Sequence, residues 1–424
     1  MGVRPQRAKC SPIARKCMAK NRKLLVIGAS PFQVPLILKA RELGYTVSAT
    51  SYLKDDPGLL VADKGFNVSI LDFGGLERLC QREGICAVAT GASDLGTLAV
   101  GHLNDTLGLA GITEDQARSV SDKGRFVLLQ KDLGLGLGES FIVTDGGDLE
   151  AALAKISAYP VILKPLYASG SRGVRVVRSA EEARGYHSAV CDASSLEKGY
   201  VLQTYLDGVE HGCECLVEGG EVAFLQLTHK FRNEHNVPLG HCVPVEGRDR
   251  VLRSLTEQIE KIVGRLGVTN SAINIDVIVT PDGGAAIIDF SFRLGGNLLP
   301  QLMRQKYGVD TVERVIRYCF PEDIDSPPVV AQTPGCCGAV IFGSPQPGVL
   351  SEEMQARITR LFEDSARVID LVFDIAPGET FENFDQGSHR FGHALFEVDS
   401  LESYSDILNA HLAIVRDELA REKP

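Results

Sequence analysis

Short apolar runs and amphipathic stretches alternate along the first part of the chain. Leu24–Gly28 is an apolar run typical of a buried strand, and Gln33–Gly44 places its apolar residues at helical spacing and ends in glycine. The alternation continues with predicted strands at Thr46–Tyr52, Phe66–Leu71 and Cys86–Thr90 and predicted helices at Gly75–Gly84 and Ser93–Gly108. Because strands that alternate with helices form parallel sheets, this part predicts a doubly wound α/β unit.

The pattern becomes richer in strands after Gly111–Ser121, where the chain leaves the first unit. A smaller unit follows, with predicted strands at Phe141–Thr144, Tyr159–Pro165, Gly173–Ser179 and Tyr200–Leu206 and predicted helices at Asp148–Ile156 and Ala180–Val190. Two hairpins come next, at Cys213–Phe231 and Ala272–Phe292, each with a glycine-containing turn. Turn-linked hairpins indicate an antiparallel sheet, so the predicted architecture changes from α/β to α+β.

The two predicted hairpins are separated by a long connection. It consists of an irregular polar loop, Arg232–Gly247, and a helix, Asp249–Gly267. The proline-rich stretch Pro321–Pro334 marks a last boundary, and it precedes a predicted strand at Ala339–Gly343 and a terminal amphipathic helix at Ser403–Ala420.

Composition and charge exclude several classes of protein. The chain has 424 residues and a net charge of -11, which argues against a general nucleic-acid binder, and it has no apolar run long enough to span a bilayer. Eleven cysteines occur without a CxxC or zinc-type spacing, which favours reduced thiols in a cytoplasmic protein. A redox or metal role for the close pairs Cys213/Cys215 and Cys336/Cys337 stays open. Met1–Lys20 is basic and lacks the apolar core of a secretory signal, so we expect either a disordered tail or an upstream extension of a chain that begins at Met18, with a transit peptide as the alternative.

Ala285–Asn297 is the stretch with the clearest candidate chemistry. An apolar run ends in Asp289, and Ser291 and Arg293 follow at a spacing of two, so all three side chains leave the same face of a strand. Asp289 and Ser291 offer oxygen ligands for Mg2+, and Arg293 offers a planar fork for an anion. Asp276 lies on the hairpin partner, and carboxylates that face each other across two strands repel unless a cation lies between them. The alternative is a strand end with ordinary surface polar residues.

Other stretches carry features of a nucleotide site. Lys164 ends a predicted strand, and Ser169–Gly173 forms a glycine loop whose backbone N–H groups can approach phosphate oxygens. A tight polar hairpin without a ligand is the alternative for this loop. Gln203 and Thr204 end a buried strand, where an adenine can pair with main-chain groups, and Glu210 follows with a carboxylate for ribose hydroxyls. No Walker loop occurs, and the turn after the first strand lacks the second and third glycines of a dinucleotide fingerprint.

Taken together, these stretches resemble the ATP-grasp superfamily, of the carboxylate–amine ligase type that includes carbamoyl-phosphate-synthase-like and L-amino-acid ligases. The resemblance runs from about Leu24 to Gly392 and rests on the order and spacing of the segments SDKGRF, KP followed by SGSRGV, LQTYLDGVE, NIDVIV, IIDFSFRLGGN and GSHRFGHALF. It implies an ATP-grasp fold with a parallel pre-ATP-grasp domain, a small lid and an antiparallel C-terminal domain. The implied divisions are 1–20 for the tail, 21–115 for the pre-ATP-grasp domain, 116–200 for the lid, 201–330 for the main ATP-grasp subdomain and 331–424 for the C-terminal subdomain.

The resemblance also implies a role for each matching position. These roles are triphosphate binding for Lys123 and Lys164, a mobile loop for Ser169, Gly170 and Ser171, adenine contact for Gln203 and Thr204, ribose contact for Glu210, Mg2+ ligation for Asp276, Asp289 and Ser291, and contact with the transferred phosphate and acyl-phosphate for Arg293. The candidate substrate contacts are His229, Lys230, His241, Arg293 and Asn297, because they flank the site in sequence. Arg293 and Lys164 would carry the catalysis. The family usually has Glu where this chain has Asp289 and often Asn where it has Ser291, which leaves a second metal ion open. The two histidines are alternatively structural or solvated.

The implied activity is ATP-dependent ligation of a carboxylic acid to an amine, such as an amino acid, through an acyl-phosphate, with release of ADP and phosphate. The expected cofactors are ATP and one Mg2+ ion, for which Mn2+ is a substitute. The alternatives are a carboxylase or transformylase that activates bicarbonate or formate, and a non-catalytic ATP-binding protein. We expect a cytoplasmic protein that acts on small molecules, without nucleic-acid or membrane partners, and a homodimer by the habit of the family.

Overall fold

The computed structural model describes residues 22–168, 170, 172–324 and 326–421 of the chain. The predicted tail, Met1–Lys20, lies outside these residues, and so do Ser169 and Ser171 of the predicted glycine loop. None of the helices in the described part is both long enough and apolar enough to span a bilayer.

The N-terminal unit is a four-stranded parallel sheet with helices on both faces. Its strands are β1 (Lys23–Ile27), β2 (Thr46–Ser51), β3 (Lys64–Asn67) and β4 (Ala87–Ala89), in the order β3-β2-β1-β4. Its helices are α1 (Val34–Glu42), α2 (Pro57–Val61), α3 (Phe73–Glu83), α4 (Asp94–Leu107), α5 (Glu114–Ser121) and α6 (Lys123–Asp132). Leu24 and Val26 of β1 pack in one core, and Leu25 and Ile27 pack in a second core on the other face. A strand buried on both faces is a continuous apolar run, which is why the sequence predicted this strand and the parallel sheet correctly.

Strand β3 differs from its prediction at Phe66–Leu71. It begins at Lys64 and ends at Asn67, at the edge of the sheet, and most of it is exposed. The apolar residues Val68 and Ile70 pack against the core from the turn that follows, rather than from the strand. An edge strand needs few buried side chains, so the apolar signal of this segment came from the turn.

The lid unit is a four-stranded antiparallel sheet that has its own small core. Its strands are β5 (Ser140–Val143), β6 (Val161–Pro165), β7 (Arg175–Val177) and β8 (Tyr200–Thr204), in the order β5-β8-β6-β7, and its helices are α7 (Gly146–Leu153) and α8 (Ala180–Asp192). Val143, Leu163, Val177 and Tyr200 are among the buried residues of this core.

The third unit is built on an eight-stranded sheet in which all neighbouring strands are antiparallel. The strands of this unit are β9 (Val209–Glu218), β10 (Glu221–Arg232), β11 (Pro238–Val243), β12 (Ser271–Val279), β13 (Ala285–Ser291), β14 (Cys336–Phe342), β15 (Gly348–Val349), β16 (Arg367–Phe373), β17 (Thr380–Phe381) and β18 (Gly392–Val398). Of these, β15 and β17 form a small separate pair. The order in the large sheet is β13-β12-β9-β10-β11-β14-β18-β16. Its helices are α9 (Asp249–Leu266), α10 (Leu299–Tyr307), α11 (Thr311–Tyr318), α12 (Glu352–Ser365) and α13 (Leu401–Arg421). Both predicted hairpins are confirmed, and the boundaries of the predicted domains stay predictions.

The prediction of an irregular loop at Arg232–Gly247 is wrong, because β11 lies inside it and joins β10 to β14. The strand contains Gly240, which is required there. A Cβ at this position would lie 2.3 Å from the carbonyl oxygen of Ala339 and 2.3 Å from the hydroxyl of Tyr404. A glycine and a buried histidine inside a short strand break the apolar pattern that reveals other strands.

The cysteines match their prediction only in part. Eight cysteines in the described part are free thiols, and all of them except Cys336 are buried. Cys86 is disulfide-bonded, so the expectation of reduced thiols is wrong for that residue.

Candidate active site

Alternate residues of the central strands place polar side chains on one face of the large sheet. The register sets Asp276 of β12 opposite both Gly212 of β9 and Asp289 of β13. Two residues earlier on β12, Asn274 lies opposite Ser291. Because side chains alternate along a strand, all of these positions share one face, while the residues between them enter the core. The predicted opposition of the two aspartates is confirmed.

A chain of ion pairs crosses this face next to Asp276. The ammonium of Lys230 lies 2.8 Å from an oxygen of Asp276 and 2.8 Å from an oxygen of Glu210. The second oxygen of Glu210 accepts from Arg232 at 2.5 Å. Burial alone would lower the pKa of Lys230, but Asp276 and Glu210 raise it above its ordinary value. Lys230 therefore stays charged, and its position is fixed by two carboxylates.

Two further lysines reach the same face from outside the large sheet. Lys123, the first residue of α6, donates to the carbonyl of Ala168 at 3.0 Å and lies 3.2 Å from an oxygen of Asp289. Burial would lower the pKa of Lys123, but Asp289 and then Asp94 raise it. The ammonium of Lys164, on β6, lies 3.4 Å from the side-chain oxygen of Gln203, and burial lowers its pKa to about 8.

Gln203 and Thr204 lie at the end of β8, where the lid unit meets the large sheet. The amide nitrogen of Gln203 donates to the hydroxyl of Ser140 at 3.0 Å. The backbone N–H of Glu139 donates to the hydroxyl of Thr204 at 3.0 Å, and the N–H of Thr204 donates to the carbonyl of Glu139 at 2.9 Å. These bonds pair the end of β8 with the segment before β5 and so fix this wall of the site.

Asp94 is a site residue that the sequence did not reveal. It begins α4 in the N-terminal unit and accepts from Arg293, with one oxygen 2.7 Å from Nε and the other 3.4 Å from Nη2. The hydroxyl of Ser291 also donates to Asp94, at 2.6 Å. Burial alone would raise the pKa of Asp94, but Arg293 and Ser291 hold it at about 2. Nη1 of Arg293 donates to Asn274 and to the carbonyl of Leu294, each at 3.0 Å, so most of the guanidinium N–H groups already have acceptors.

Glu214 is a second buried carboxyl that sequence reasoning missed. It accepts from the amide of Asn274 at 2.7 Å and from the N–H of Gly295 at 3.3 Å. Burial raises the pKa of Glu214 to about 7. A Cβ on Gly295 would lie 2.3 Å from Glu214, so glycine is required where the chain leaves β13. The period of two along β9, from Glu210 through Gly212, was the signal that could have found Glu214.

The two predicted histidine contacts have different outcomes. His241 lies on the polar face, where its Nδ1 is 2.9 Å from the hydroxyl of Thr228, and burial lowers its pKa to about 3. His229 precedes Lys230 in β10 and therefore faces the other side, where its ring centroid lies 5.7 Å from that of His211. Burial lowers the pKa of His229 to about 4. The structure does not bring His229 to the site, so that prediction is corrected.

Two clefts open beside the aspartate pair. The lid cleft lies between the lid unit and the large sheet, and it is lined by residues that include Lys123, Lys164, Gln203, Thr204, Glu210 and Ile278. The inner cleft lies toward the N-terminal unit, and it is lined by residues that include Phe32, Arg172, His241, Arg293, Asn297 and Leu299. Five residues line both clefts: Gly170, Lys230, Pro238, Asp276 and Asp289. The two carboxylates and the Lys230 ammonium therefore stand where the clefts meet.

The oxygen ligands at the junction suit one hard cation that also binds a phosphate, and they do not form a complete metal site by themselves. The residues that the structure describes contain no group of three or more His, Cys, Asp and Glu side chains arranged to hold a metal ion. Asp276 and Asp289 offer two opposed carboxylates, which suit Mg2+ when a ligand such as a phosphate supplies further oxygens. The proton of the Ser291 hydroxyl is committed to Asp94, and a ligand role for Ser291 stays a prediction.

The segment that carries most of this site also matches a known domain family. Residues 157–301 match the ATP-grasp domain. The chain carries an ATP-grasp domain over these residues. This match confirms the resemblance that the motifs indicated. It includes Lys164, Asp276, Asp289 and Arg293, whereas Lys123 and Asp94 come from the segments before it.

Individual ATP-grasp relatives are distant in sequence and similar in fold. Alanine–anticapsin ligase of Bacillus subtilis is 23% identical over 255 residues, which are 55% of this chain and 54% of the relative. The chain thus spans about half the length of the curated relatives that it matches. The crystal structure of an L-amino acid ligase from Bacillus licheniformis aligns with a TM-score of 0.75 at 15% identity, over 92% of this chain and 97% of that chain.

A third relative is the biotin carboxylase domain of the Hydrogenobacter thermophilus 2-oxoglutarate carboxylase, crystallised with MgADP, ADP and bicarbonate. It aligns with a TM-score of 0.72 at 17% identity, over 93% of this chain and 90% of that chain. At such identities a structural likeness shows the ATP-grasp fold and does not assign an activity.

Proposed function

We propose that this ATP-grasp protein is a carboxylate–amine ligase that forms an amide bond through an acyl-phosphate and releases ADP and phosphate. The observation that carries the proposal is the position of Asp276 and Asp289 where the two clefts meet. The lid cleft would take the phosphate donor, and the inner cleft would take the acid. The transferred group would pass between them beside the carboxylate pair and Lys230.

The lid cleft offers a contact for each part of ATP. Lys123 and Lys164 would bind and orient the triphosphate, and Gly170, from the loop between β6 and β7, would cover it. The main chain beside Gln203 would pair with the adenine. The two oxygens of Glu210 pair with Lys230 and Arg232, and they would in addition accept hydrogen bonds from the ribose hydroxyls.

Asp276 and Asp289 are the residues that would hold Mg2+. Each carboxylate has a lysine ammonium within 3.2 Å, so both positions already favour a positive charge. When bound, the ion would neutralise oxygens of the β- and γ-phosphates.

The chemistry would then proceed in two steps. A carboxylate oxygen of the acid attacks the γ-phosphorus, and the bond to the bridging oxygen breaks with its electron pair leaving on ADP. The amine then attacks the acyl carbon, the bond from that carbon to the phosphate oxygen breaks, and the phosphate leaves with the electron pair. The surplus proton of the amine passes to the phosphate or to water. Lys230, Lys123 and Lys164 would stabilise the negative charge, and the rigid sheet would hold the reactants in position.

The proposal is tested by ATP turnover across a panel of carboxylic acids with and without an amine. We expect ADP release that requires both reactants. Lys164→Ala should abolish it, because that substitution removes a cation from the lid cleft. Lys198→Ala is the matched control, since Lys198 lies in the same unit with 79% of its side chain exposed and pairs only with Asp192 among the described residues. Normal turnover by Lys164→Ala would refute the assignment of the site.

The same panel separates the alternative functions. The second candidate is a carboxylase or a transformylase, which would activate bicarbonate or formate in place of a larger acid. ADP release with bicarbonate or formate, and without a larger acid, would support a carboxylase or a transformylase. Tight binding of MgATP without turnover on any member of the panel would support a non-catalytic ATP-binding protein.

A further inference from the structure

The lining of the inner cleft is divided between charged and apolar residues. Lys230, Asp276 and Asp289 bring charge to the junction with the lid cleft, and Arg172 and Arg293 add two cations to the lining. The N-terminal unit contributes Phe32 and Ala92, neither of which is charged. Leu299 and Val237, which are buried, add apolar surface from the third unit. Such a lining suits a molecule that carries a carboxylate on one part and an uncharged, apolar group on another.

Phe32 is held in place by its surroundings. The guanidinium carbon of Arg390 lies 5.2 Å from the centroid of the Phe32 ring. Arg390 also pairs with Asp374 at 2.9 Å, and only 11% of its side chain is exposed. Its charge is therefore balanced by Asp374, and it supports the aromatic ring instead of offering a free anion site. The neighbouring Gln33 is buried and accepts from the N–H of Gly91 at 2.6 Å, which fixes the turn that presents Phe32.

Gly296 leaves a small space beside this ring. A Cβ at Gly296 would lie 3.6 Å from the nearest ring carbon of Phe32 and 3.6 Å from the Cβ of Ala92, which are ordinary contact distances. Its backbone does not adopt the left-handed conformation, so alanine fits there without strain. Gly295 differs, because a Cβ there would collide with Glu214. Gly296 is therefore not needed for folding in the way that Gly295 is, and a methyl group at this position would narrow the inner cleft.

We propose that the surface formed by Phe32, Ala92 and Gly296 is the side-chain subsite of the acid substrate. The substrate class is a carboxylic acid with an uncharged apolar side chain, such as a neutral aliphatic or aromatic amino acid. Bicarbonate and formate have no group to fill this surface, and a phosphorylated arm would place charge against Phe32. The proposal rests on the proposed function, because the carboxylate of the acid must lie at the junction of the clefts for the apolar side chain to reach Phe32.

The test compares acids that differ only in side chain. Full-length protein with MgATP is given glycine, alanine, leucine, phenylalanine or O-phosphoserine as the acid. Glycinamide serves as the amine, since it has no carboxylate of its own to activate. Acid-dependent ADP release gives kcat and KM for each acid. We expect the wild type to prefer leucine or phenylalanine over glycine and O-phosphoserine.

Two substitutions alter the subsite in opposite ways. Gly296→Ala fills space, so KM for leucine and phenylalanine should rise about 10-fold while KM for glycine stays unchanged. Phe32→Ala removes the wall, so the preference for leucine over glycine should fall by about 10-fold. The affinity for MgATP should not change in either variant, because neither residue lines the lid cleft. Tyr52→Ala is the control, since Tyr52 belongs to the same unit, is 69% exposed and does not line either cleft.

The outcomes separate this inference from the proposed function. Ligation in which both variants keep the wild-type ratio of leucine to glycine would overturn the subsite alone. A wild-type preference for O-phosphoserine would overturn it as well. ADP release that never depends on an acid would overturn the proposed function and the subsite together. Melting temperatures measured alongside show whether a variant has lost its fold. Gly296→Ala still tests the subsite if Phe32→Ala is unstable.

Discussion

Replacing Asp94 by asparagine tests the ion pair that joins the N-terminal unit to the candidate active site. Asp94 accepts from Arg293 and Ser291, and the pKa of its carboxyl is held at about 2 against an ordinary 3.8, although burial alone would raise it. That difference corresponds to roughly 2.4 kcal/mol of net stabilisation of the charged carboxylate in the folded protein. Breaking a comparable buried pair by removing one partner costs about 3–5 kcal/mol, which is a second estimate of the same interaction. We therefore expect the free energy of unfolding to fall by about 2–5 kcal/mol.

Urea unfolding at neutral pH measures this loss. Ser291→Ala keeps the ion pair and removes one hydrogen bond to Asp94, so its effect should be smaller, about 1 kcal/mol. Asp115→Asn is the control, because Asp115 is 86% exposed and its pairing with Arg125 is solvated. The reasoning fails if Asp94→Asn unfolds at the wild-type urea concentration, or if Ser291→Ala is the more damaging change.

The pH dependence of protein stability is a second, independent test of the ion pair between Asp94 and Arg293. A carboxyl whose pKa is lowered in the folded state adds stability above its ordinary pKa and loses it as the pH falls through the folded value. The difference in stability between wild type and Asp94→Asn should therefore be largest above about pH 4 and should narrow as the pH falls toward 2. A difference that widens on acidification would contradict the pairing with Arg293.

Two other substitutions test separate parts of the molecule. The nitrogens of His102 lie 2.7 Å from Glu77 and 2.7 Å from Glu114, and these carboxylates raise its pKa although burial would lower it. Its stabilising effect should be complete below about pH 6.5 and be lost as the pH rises through the raised value; melting curves from pH 6 to 9 should show this slope in wild type and not in His102→Gln. Arg293→Lys keeps the charge and loses the planar fork that holds Asp94 and Asn274, so the cation at this wall of the inner cleft is no longer fixed in position. KM for the acid should therefore rise at least about 10-fold while the Kd for MgATP, measured by calorimetry, stays unchanged. If Arg293→Lys instead raises the Kd for MgATP and leaves KM for the acid unchanged, Arg293 acts on the nucleotide of the lid cleft and not on the acid of the inner cleft.

The aspartate pair could be predicted because its signals are local. The spacing of two along β13 and the glycine turn of the hairpin place Asp276 and Asp289 on neighbouring strands within a short stretch of chain, and a β-bulge between Asp276 and Val277 shifts the register by one residue so that the two face each other. The burial of β1 on both of its faces could likewise be predicted from its apolar run. In both cases, neighbours in sequence decide which face a side chain occupies.

The partners of Arg293 could not be predicted in the same way. Asp94 lies 199 residues earlier and reaches Arg293 only because two units pack together. A sequence pattern does not encode that contact, although the position of Asp94 at the carboxyl end of a parallel strand, at the start of a helix, is a common place for site residues. His229 was misplaced for a simpler reason: it was chosen because it flanks the site in sequence, whereas adjacent residues of a strand face opposite ways.

The most direct test of the central claim is an isotope transfer. An acid labelled with 18O in both carboxylate oxygens is incubated with the protein, MgATP and glycinamide, and the phosphate is analysed by mass spectrometry. If an acyl-phosphate forms, one 18O passes from each activated acid into phosphate, and ADP, labelled phosphate and amide appear in equal amounts. Unlabelled phosphate, or the release of AMP and pyrophosphate, would contradict the acyl-phosphate mechanism and with it the ligase proposed for this site.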